Sequence, residues 1–253
     1  MTAVTTASGG LRAERIRLYA QPLIVVGIVA VVLAWAFGGD LDDIEQRSIN
    51  ASTILTLTWQ HLEITAVVTA IVLLLAVPLG VVLTRRWAKP LAPVVLGIAN
   101  IGQAAPAVGL LVLFFLATGW TGFWVVVLPT TLYALLPVLR NTMVGLQQVD
   151  PALVEAGRGI GMSGFSVLRR IELPLAVPFV LAGLRTALVL AVGVATLAMF
   201  VNGGGLGVMI DTGYKLRRTS VLVVGAVLSV ALALLVDWLG ALAEQLLGPK
   251  GLR

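Results

Sequence analysis

Long apolar stretches separated by short polar segments run along almost the whole chain. Each stretch is close to the ~20 residues that an α-helix needs to cross the hydrocarbon of a bilayer. Because lipid offers no hydrogen-bonding partners, each must satisfy its own backbone groups as a helix. The pattern therefore predicts an all-α, polytopic membrane protein with about six transmembrane helices. The predicted spans are residues 20–38, 62–84, 91–117, 121–140, 175–200 and 219–243.

The first stretch allows a second interpretation, as a cleaved signal peptide. Arg12, Arg15 and Arg17 precede it, and its last residues, LAWAF, place Ala34 and Ala36 at the spacing of a signal-peptidase site. The apolar run is longer than the core of a typical signal peptide. We therefore expect it to be kept as a transmembrane helix.

The third stretch is interrupted by the sequence ANIGQAAPAVG at residues 99–109. Irregular backbone at membrane depth is tolerated where it lines a cavity or is buried in protein. Asn100, Gln103 and Pro106 are therefore candidates for the wall of a translocation path. The alternative is a helix kink whose side-chain amides bond to neighbouring spans.

The composition agrees with a lipid environment and excludes several kinds of binding and catalytic site. Of 253 residues, 59% are hydrophobic and 11% charged, whereas soluble domains carry about 25% charged residues. With no cysteine and a single histidine, the chain cannot form a disulfide or a multi-histidine metal site. It has no GxxxxGK[ST] phosphate loop, no GxSxG elbow and no HExxH pair. We expect neither a metal nor a bound cofactor in this chain.

Basic residues indicate which loops face the cytoplasm, because those loops carry an excess of Lys and Arg. Alternate loops hold twelve basic residues and the remaining loops hold four. The twelve are Arg12, Arg15, Arg17, Arg85, Arg86, Lys89, Arg140, Arg158, Arg169, Arg170, Lys250 and Arg253. The four are Arg47, Lys215, Arg217 and Arg218, on the same side as the acidic cluster Asp40, Asp42, Asp43 and Glu45. Both termini are therefore predicted to be cytoplasmic, and topology, not nucleic-acid binding, explains the net positive charge.

The polar segment between spans four and five reads as two short helices. Asp150 can cap a helix that starts at Pro151, glycines interrupt it, and Ser163 can cap a second short helix through FSVLRRIEL. Pro174 then starts the next span. Within it, Glu155-Ala156-Gly157, Gly161 and Ile171-Glu172-Leu173-Pro174 follow one another at fixed spacings. This pattern resembles the EAA loop of ABC importer permeases, with glycine in place of the second alanine. An ordinary amphipathic connector with incidental spacing is the alternative.

That resemblance implies the type I ABC importer fold and a coupling helix that docks on a separate ATPase. Glu155 and the neighbouring Arg158 would face the ATPase, Ala156 and Gly157 would allow close approach, and Gly161 would make the turn. Leu173 and Pro174 would end the loop. ATP and magnesium would then be bound by the partner subunit, and this chain would not itself be an enzyme.

Flanking segments resemble the osmoprotectant permeases, which import glycine betaine, choline, carnitine, proline betaine and related compounds. These segments are TWQHLEIT, YALLPVLRNTMVGLQQVDPAL, LAGLRTALVLAVGVATLA and GGGLG. The resemblance divides the chain into an N-terminal segment (1–55), a transmembrane domain (56–245) and a short tail (246–253). It implies a substrate-binding protein and a second permease subunit as partners. Permeases for methionine or another amino acid are the nearest alternative.

Several further residues are candidates for the path or for its support. Tyr133, with Trp59, Trp120 and Trp124, could offer faces to a cation, although aromatic residues at span ends usually anchor the interface. Arg185 lies inside span five, where it either snorkels to the cytoplasm or pairs with Asp237 near the inner end of span six. The glycines Gly203, Gly204, Gly205 and Gly207 predict an outer gate, a contact for the binding protein, or a flexible turn.

Two other classes of protein make different predictions. An ion-driven transporter would need an acidic residue near the middle of the membrane, and Glu63 and Asp237 are both expected near span ends. An intramembrane protease would need a nucleophile beside a base. The single histidine, His61, is expected at the membrane interface near the outer end of span two, hydrogen-bonded but outside the core.

Overall fold

The computed structural model describes the backbone of residues 5–247 and the side chains of residues 19–247. Within that range every regular element is helical. The α-helices are α1 (Thr5–Phe37), α2 (Asp43–Ser48), α3 (Ala51–Thr84), α4 (Ala92–Ala104), α5 (Ala107–Thr118), α6 (Phe123–Gln147), α7 (Pro151–Gly159), α8 (Gly164–Val167), α9 (Leu173–Ala195), α10 (Gly207–Lys215) and α11 (Thr219–Leu247). Short 3₁₀ turns precede α4 and follow α9, and a π-turn (Leu168–Glu172) joins α8 to α9. The basic side chains of Arg12, Arg15, Arg17, Lys250 and Arg253 lie outside the described residues.

In the described part of the chain, five helical segments are long and apolar enough to span a membrane, and one of them runs from α8 through α9. The pair α4 and α5 forms a sixth candidate, bent by 100°. Contacts at its two ends show that this bent pair crosses the bundle. Just before it, Arg85 bonds to Glu172 beside the start of α9. Just after it, the Gly122 N–H donates to the Val201 carbonyl at the other end of α9. The prediction of six spans is therefore confirmed, with the third one broken.

The core is built around α6, which packs against α3, α4, α5 and α9. Glycines allow close approach at these crossings, as is common between membrane helices. A Cβ at Gly80 of α3 would lie 2.8 Å from the Thr142 side chain of α6, and one at Gly183 of α9 would lie 2.7 Å from the Pro137 carbonyl. The helices α1 and α11 form a second, peripheral layer with α10.

Candidate functional site

In the polar segment 150–174, called the coupling loop below, both helices begin where the sequence predicts, but the second continues through the π-turn into α9 and is not a separate short helix. The Asp150 side chain accepts from the Ala152 N–H at the start of α7, and the Ser163 hydroxyl accepts from the Ser166 N–H at the start of α8. Gly161 between them has φ +88°, a conformation that strains any residue with a Cβ. The turn between the two helices therefore depends on Gly161.

Within the coupling loop, the predicted contact residues differ in exposure. Glu155, Ala156, Arg158, Gly161 and Pro174 are exposed, Leu173 is half-buried and Gly157 is buried. A Cβ at Gly157 would lie 2.7 Å from Cδ1 of Ile171 in the same loop. The small size of Gly157 therefore serves the packing of α7 against the end of the loop, and only Ala156 of the small pair faces outward.

Two large apolar side chains at the tip of the coupling loop were missed by the sequence analysis. Ile160 is 82% exposed and Phe165 is 70% exposed, on either side of the Gly161 turn. Leu153, on α7, is also exposed. The signal was present in the sequence, since these are large apolar residues on either side of the glycine that makes the turn. Together with Glu155 they form an amphipathic tip with no covering element among the described residues.

The coupling loop returns to the bundle through an ion pair. The guanidinium of Arg85, at the end of α3, donates to both carboxylate oxygens of Glu172, at 3.2 and 2.5 Å. Glu172 is only 8% exposed and lies on the π-turn that leads into α9. Because charge-assisted bidentate bonds are strong and directional, the pair fixes the end of the loop to α3.

The break in the third span leaves its polar side chains without partners. Asn100 is exposed near the end of α4, Gln103 is half-buried, and Pro106 is exposed at the bend. No hydrogen bond joins either amide to another residue in the described part of the chain. Tyr133 of α6 is half-buried beside α5, next to Leu110. The amides therefore do not serve to bond neighbouring spans within this chain.

At the other end of the bundle, residues 202–207 form a tightly held glycine loop. The Gly205 N–H donates to Oε1 of Gln60 at 3.1 Å, and a Cβ at Gly207 would overlap the Thr196 carbonyl oxygen. Gly203 and Gly204 have similarly little room for a Cβ. The glycines therefore pack closely against α3 and the end of α9, which disfavours the alternative of a flexible turn. The outer gate and the contact for a binding protein stay predictions.

His61 holds the same glycine loop from α3. Its ring is fully buried, with Nε2 2.9 Å from the Val192 carbonyl and Nδ1 3.3 Å from the Leu206 amide. A neutral ring protonated on Nε2 satisfies both bonds. The expectation that His61 lies outside the core is thus wrong, because the ring lies between the Val192 carbonyl and the buried Leu206 N–H and supplies that N–H with an acceptor.

Arg185 of α9 pairs with Asp237 of α11, which is one of the two alternatives that the sequence left open. Its Nε and Nη2 donate to the two carboxylate oxygens of Asp237 at 2.6 and 2.8 Å, and its Nη1 lies 3.9 Å from Glu244. The helix α11 continues ten residues past Asp237, to Leu247. Asp237 therefore lies about 15 Å from that end of the helix.

The tryptophans and the acidic groups do not form a site of their own. Trp59, Trp120 and Trp124 are 68%, 55% and 53% exposed, and the ring pairs in the described residues are Phe114–Trp120 and Phe123–Trp124. The three indoles therefore do not pair into an aromatic cage. Within the same residues, no group of three or more His, Cys, Asp or Glu side chains could hold a metal ion.

Comparison with known proteins identifies relatives of this arrangement. Residues 76–248 match the family described as "Binding-protein-dependent transport system inner membrane component". The chain is 39% identical over 204 residues to the glycine betaine/carnitine/choline transport system permease protein OpuCB of Bacillus subtilis, which covers 81% of this chain and 93% of that protein. It is 37% identical over 217 residues to the osmoprotectant import permease protein OsmW of Salmonella typhimurium, covering 84% and 100%.

Solved structures show the same fold at lower identity. One chain of the MetNI methionine ABC transporter, in an inward-facing conformation, aligns with a TM-score of 0.68 at 22% identity and covers 83% of this chain and 100% of its own. A chain of an amino acid ABC transporter crystallised with histidines aligns with a TM-score of 0.66 at 18% identity, covering 81% and 99%. The architecture is therefore that of type I ABC importer permeases.

Proposed function

The chain belongs to the family of binding-protein-dependent transport system inner membrane components, and from that premise we propose how it moves its solute. It is the multi-pass membrane permease of an ABC importer for an osmoprotectant, the class to which OpuCB and OsmW belong by name. Glycine betaine, carnitine and choline are the solutes we propose for it. Its own part is transport, and ATP hydrolysis is assigned to a separate ATPase that binds ATP and magnesium.

The exposed tip of the coupling loop supports the proposal that this loop couples the permease to its ATPase. Ile160 and Phe165 offer apolar anchors, and Glu155 and Arg158 offer charges around them. An interface of this kind buries apolar residues at its centre and keeps polar ones at its rim. We assign the groove of one ATPase subunit to this tip. Displacement of the docked tip would pass through the Arg85–Glu172 pair to α3 and through the π-turn to α9.

The unpartnered polar groups of the broken span support the proposed path. Asn100 and Pro106 are exposed, Gln103 is half-buried, and neither amide has a hydrogen bond to another of the residues that the structure describes. Exposed amides are costly against lipid, so a second permease subunit or an aqueous path facing them is favourable. We propose that two permease subunits, identical or related, enclose the path, with Tyr133 behind this wall.

The distribution of charge supports the proposed orientation. At the coupling-loop end, the described basic residues are Arg85, Arg86, Lys89, Arg140, Arg158, Arg169 and Arg170. At the opposite end, Arg218 pairs with Asp42 and Lys215 pairs with Asp211. We therefore assign the coupling-loop end to the cytoplasm, together with both termini. The glycine-loop end then faces outward, where a substrate-binding protein would deliver the solute.

Uptake of labelled glycine betaine and choline tests the proposal. Cells that lack osmoprotectant uptake would carry the permease with its partner ATPase and binding protein, at high osmolarity. We expect ATP-dependent uptake in the wild type and at least a tenfold loss with Glu155→Lys or Gly161→Ala, because each disturbs the docking tip. Gly159→Ala is the matched control, since a Cβ there meets no atom within 4 Å.

Three results would contradict parts of this assignment. Full uptake with Glu155→Lys and Gly161→Ala would exclude this loop as the coupling element. A complex that hydrolyses ATP but takes up neither compound would exclude these solutes. Uptake that continues after ATP is depleted, with the ion gradient intact, would indicate an ion-driven transporter.

A further inference from the structure

The turn that joins α10 to α11, residues 214–218, is fixed to α2 at the glycine-loop end of the bundle. The Arg218 guanidinium lies 2.7 Å from a carboxylate oxygen of Asp42, and the Ser220 hydroxyl donates to the carboxylate of Glu45. Asp42 caps α2 and Glu45 lies in its first turn. The α10–α11 turn is therefore held in one position by two polar contacts with another part of the chain.

Helix lengths place this turn beyond the hydrocarbon of the membrane. The helix α3 follows α2 directly, and its 34 residues make it about 51 Å long, against about 30 Å of hydrocarbon. Arg85 and Arg86 mark the membrane boundary at the coupling-loop end. The opposite end of α3 therefore extends past the other boundary, and α2 lies there with it. Because the α10–α11 turn is bonded to α2, it is accessible from water.

The backbone of this turn is strained at Arg217. That residue has φ +54°, the left-handed conformation that glycine usually adopts after the end of a helix. Its N–H donates to the Tyr214 carbonyl, and the Arg218 N–H donates to the Gly213 carbonyl at 2.8 Å, which closes the end of α10. Glycine would form the same bonds with less strain. The fold of the turn therefore does not require an arginine at this position.

The charge of Arg217 is not neutralised within the part of the chain that the structure describes. Nearby, Lys215 donates to Asp211 at 2.8 Å and Arg218 pairs with Asp42. The Arg217 side chain is exposed and has no hydrogen bond or ion pair with any described residue. A basic residue on this side also opposes the usual bias of Lys and Arg towards the cytoplasm. A partner that pairs with this cation would explain why it is there.

The neighbours of Arg217 indicate that the partner is a protein. Tyr214 is 75% exposed and Leu216 is 46% exposed. A shallow pocket of about 520 Å³ at the turn is lined by Gly213, Tyr214, Lys215, Arg217, Thr219 and Leu222. Tyrosine and arginine are enriched among the residues that contribute most to protein–protein interfaces. A free anion would have no use for the exposed aromatic and aliphatic side chains beside the cation.

We propose that the α10–α11 turn is the docking site for the substrate-binding protein on this subunit, and that Arg217 pairs there with a carboxylate of that protein. This inference rests on the function proposed above. The turn is accessible from water at the end assigned to the outside, and it combines an unpaired cation with exposed apolar surface. The helix α10 begins at Gly207, directly after the glycine loop. A protein docked on the turn would therefore act on the glycine loop through α10.

Binding and stability, measured side by side, test the role of Arg217. The permease assembled with its ATPase in lipid nanodiscs would be titrated with the purified, solute-loaded binding protein. We expect Arg217→Gly to weaken binding about tenfold, while the unfolding midpoint of the permease stays the same or rises because the strain is relieved. Arg217→Gln should weaken binding to a similar extent. Arg47→Gln is the matched control, since Arg47 is an exposed cation on α2 outside the turn, and it should bind as the wild type does.

Salt dependence and cross-linking identify the partner of the turn. A charge pair at the rim of an interface weakens as salt rises, so the wild-type affinity should fall with salt more steeply than that of Arg217→Gln. Because the chain contains no cysteine, Arg217→Cys can carry a single thiol-linked photo-cross-linker. It should join the permease to the added binding protein. Cross-linking to phospholipid alone would show that the turn contacts the membrane and would overturn the proposal.

Two further results would contradict the docking site. Wild-type affinity in Arg217→Gly and Arg217→Gln would exclude the proposed charge pair. A loss of stability together with the loss of binding in Arg217→Gly would show that the arginine holds the turn and does not bind the partner.

Uptake separates this inference from the function on which it rests. Binding that depends on Arg217, in a transporter that takes up neither glycine betaine nor choline, would support the docking site and contradict the proposed solutes. Wild-type uptake that is equally fast with Arg217→Gln, at limiting binding protein, would overturn the docking site and leave the importer intact.

Discussion

The glycine loop and the coupling loop, at opposite ends of the helical bundle, are held in place by different chemistry. In the glycine loop, the N–H groups of residues 205 and 206 donate neutral hydrogen bonds to Gln60 and His61 of α3. At the coupling-loop end, one charged pair, Arg85–Glu172, fixes the loop to α3. Beyond this pair, Ile160 and Phe165 remain exposed. The N–H groups of the glycine loop find their acceptors within this chain. The coupling loop instead exposes apolar side chains that a partner protein could cover.

This difference matches what each end must do in an importer. A loop packed by close glycine contacts moves only if α3 and α9 move with it, because small displacements create overlaps. A loop fixed by one ion pair can transmit force and still keep a separate docking surface. Substitutions should therefore affect mainly the stability of the permease at the glycine-loop end and mainly its association with the ATPase at the coupling-loop tip.

The largest effect on stability is expected from Gly207→Ala. The new methyl group would overlap the Thr196 carbonyl oxygen, and both groups belong to the backbone, so neither can turn aside. Overpacking typically costs about 1–3 kcal/mol, and we expect about 3 kcal/mol or more here. Thermal unfolding of the purified full chain in detergent, followed by tryptophan fluorescence, measures it.

Gly27→Ala is the control for Gly207→Ala, because a Cβ at Gly27 in α1 meets no atom within 4 Å. Its midpoint should be unchanged or slightly higher, since alanine favours helix more than glycine does. Equal midpoints for Gly207→Ala and the wild type would show that the glycine loop has room to adjust.

A smaller loss of stability is expected from Arg85→Ala. It leaves the Glu172 carboxylate nearly buried and without its bidentate partner. Because Arg85 is about one-third exposed, we expect about 1–3 kcal/mol, less than for a fully buried pair. Arg86→Ala, at the exposed neighbouring position, should have little effect in the same unfolding assay.

A second substitution distinguishes lost charge pairing from lost packing at this site. Glu172→Gln in the Arg85→Ala background removes the unpaired charge and should recover part of the stability. If the double variant is less stable than Arg85→Ala alone, the carboxylate has a role in the loop beyond its pairing with Arg85.

Local features of these two regions could be predicted from the sequence, and distant contacts could not. Asp150 and Ser163 cap helices within three residues of themselves, so their roles follow from their immediate neighbours. The break at residues 99–109 was likewise visible, although its 100° bend depends on how α4 and α5 pack. Length and hydropathy defined the six spans.

The features that the sequence did not predict depend on contacts between residues that are far apart in the chain. Arg85 and Glu172 are 87 positions apart, and His61 lies 131 positions from Val192. No sequence pattern indicates that residues of α3 contact residues in and just before α9. The pairing of Arg185 with Asp237 could be considered in advance only because intramembrane charges are rare and require partners. Its third member, Glu244, became visible only in the structure.

The smallest effect on stability is expected at the coupling-loop tip, with Ile160→Ser and Phe165→Ser. Both side chains are mostly exposed, so each change should shift the free energy of unfolding by less than about 0.5 kcal/mol. Association with the ATPase should nevertheless weaken about tenfold or more, because truncating a central apolar anchor costs most of the energy of such an interface. Val167→Ser, at a nearby position that is 1% exposed, should show the reverse, a clear loss of stability. Copurification of the ATPase with each variant, set beside its unfolding midpoint, measures both quantities. Loss of stability without loss of ATPase binding in Phe165→Ser would show that the tip supports the permease itself and is not its docking surface.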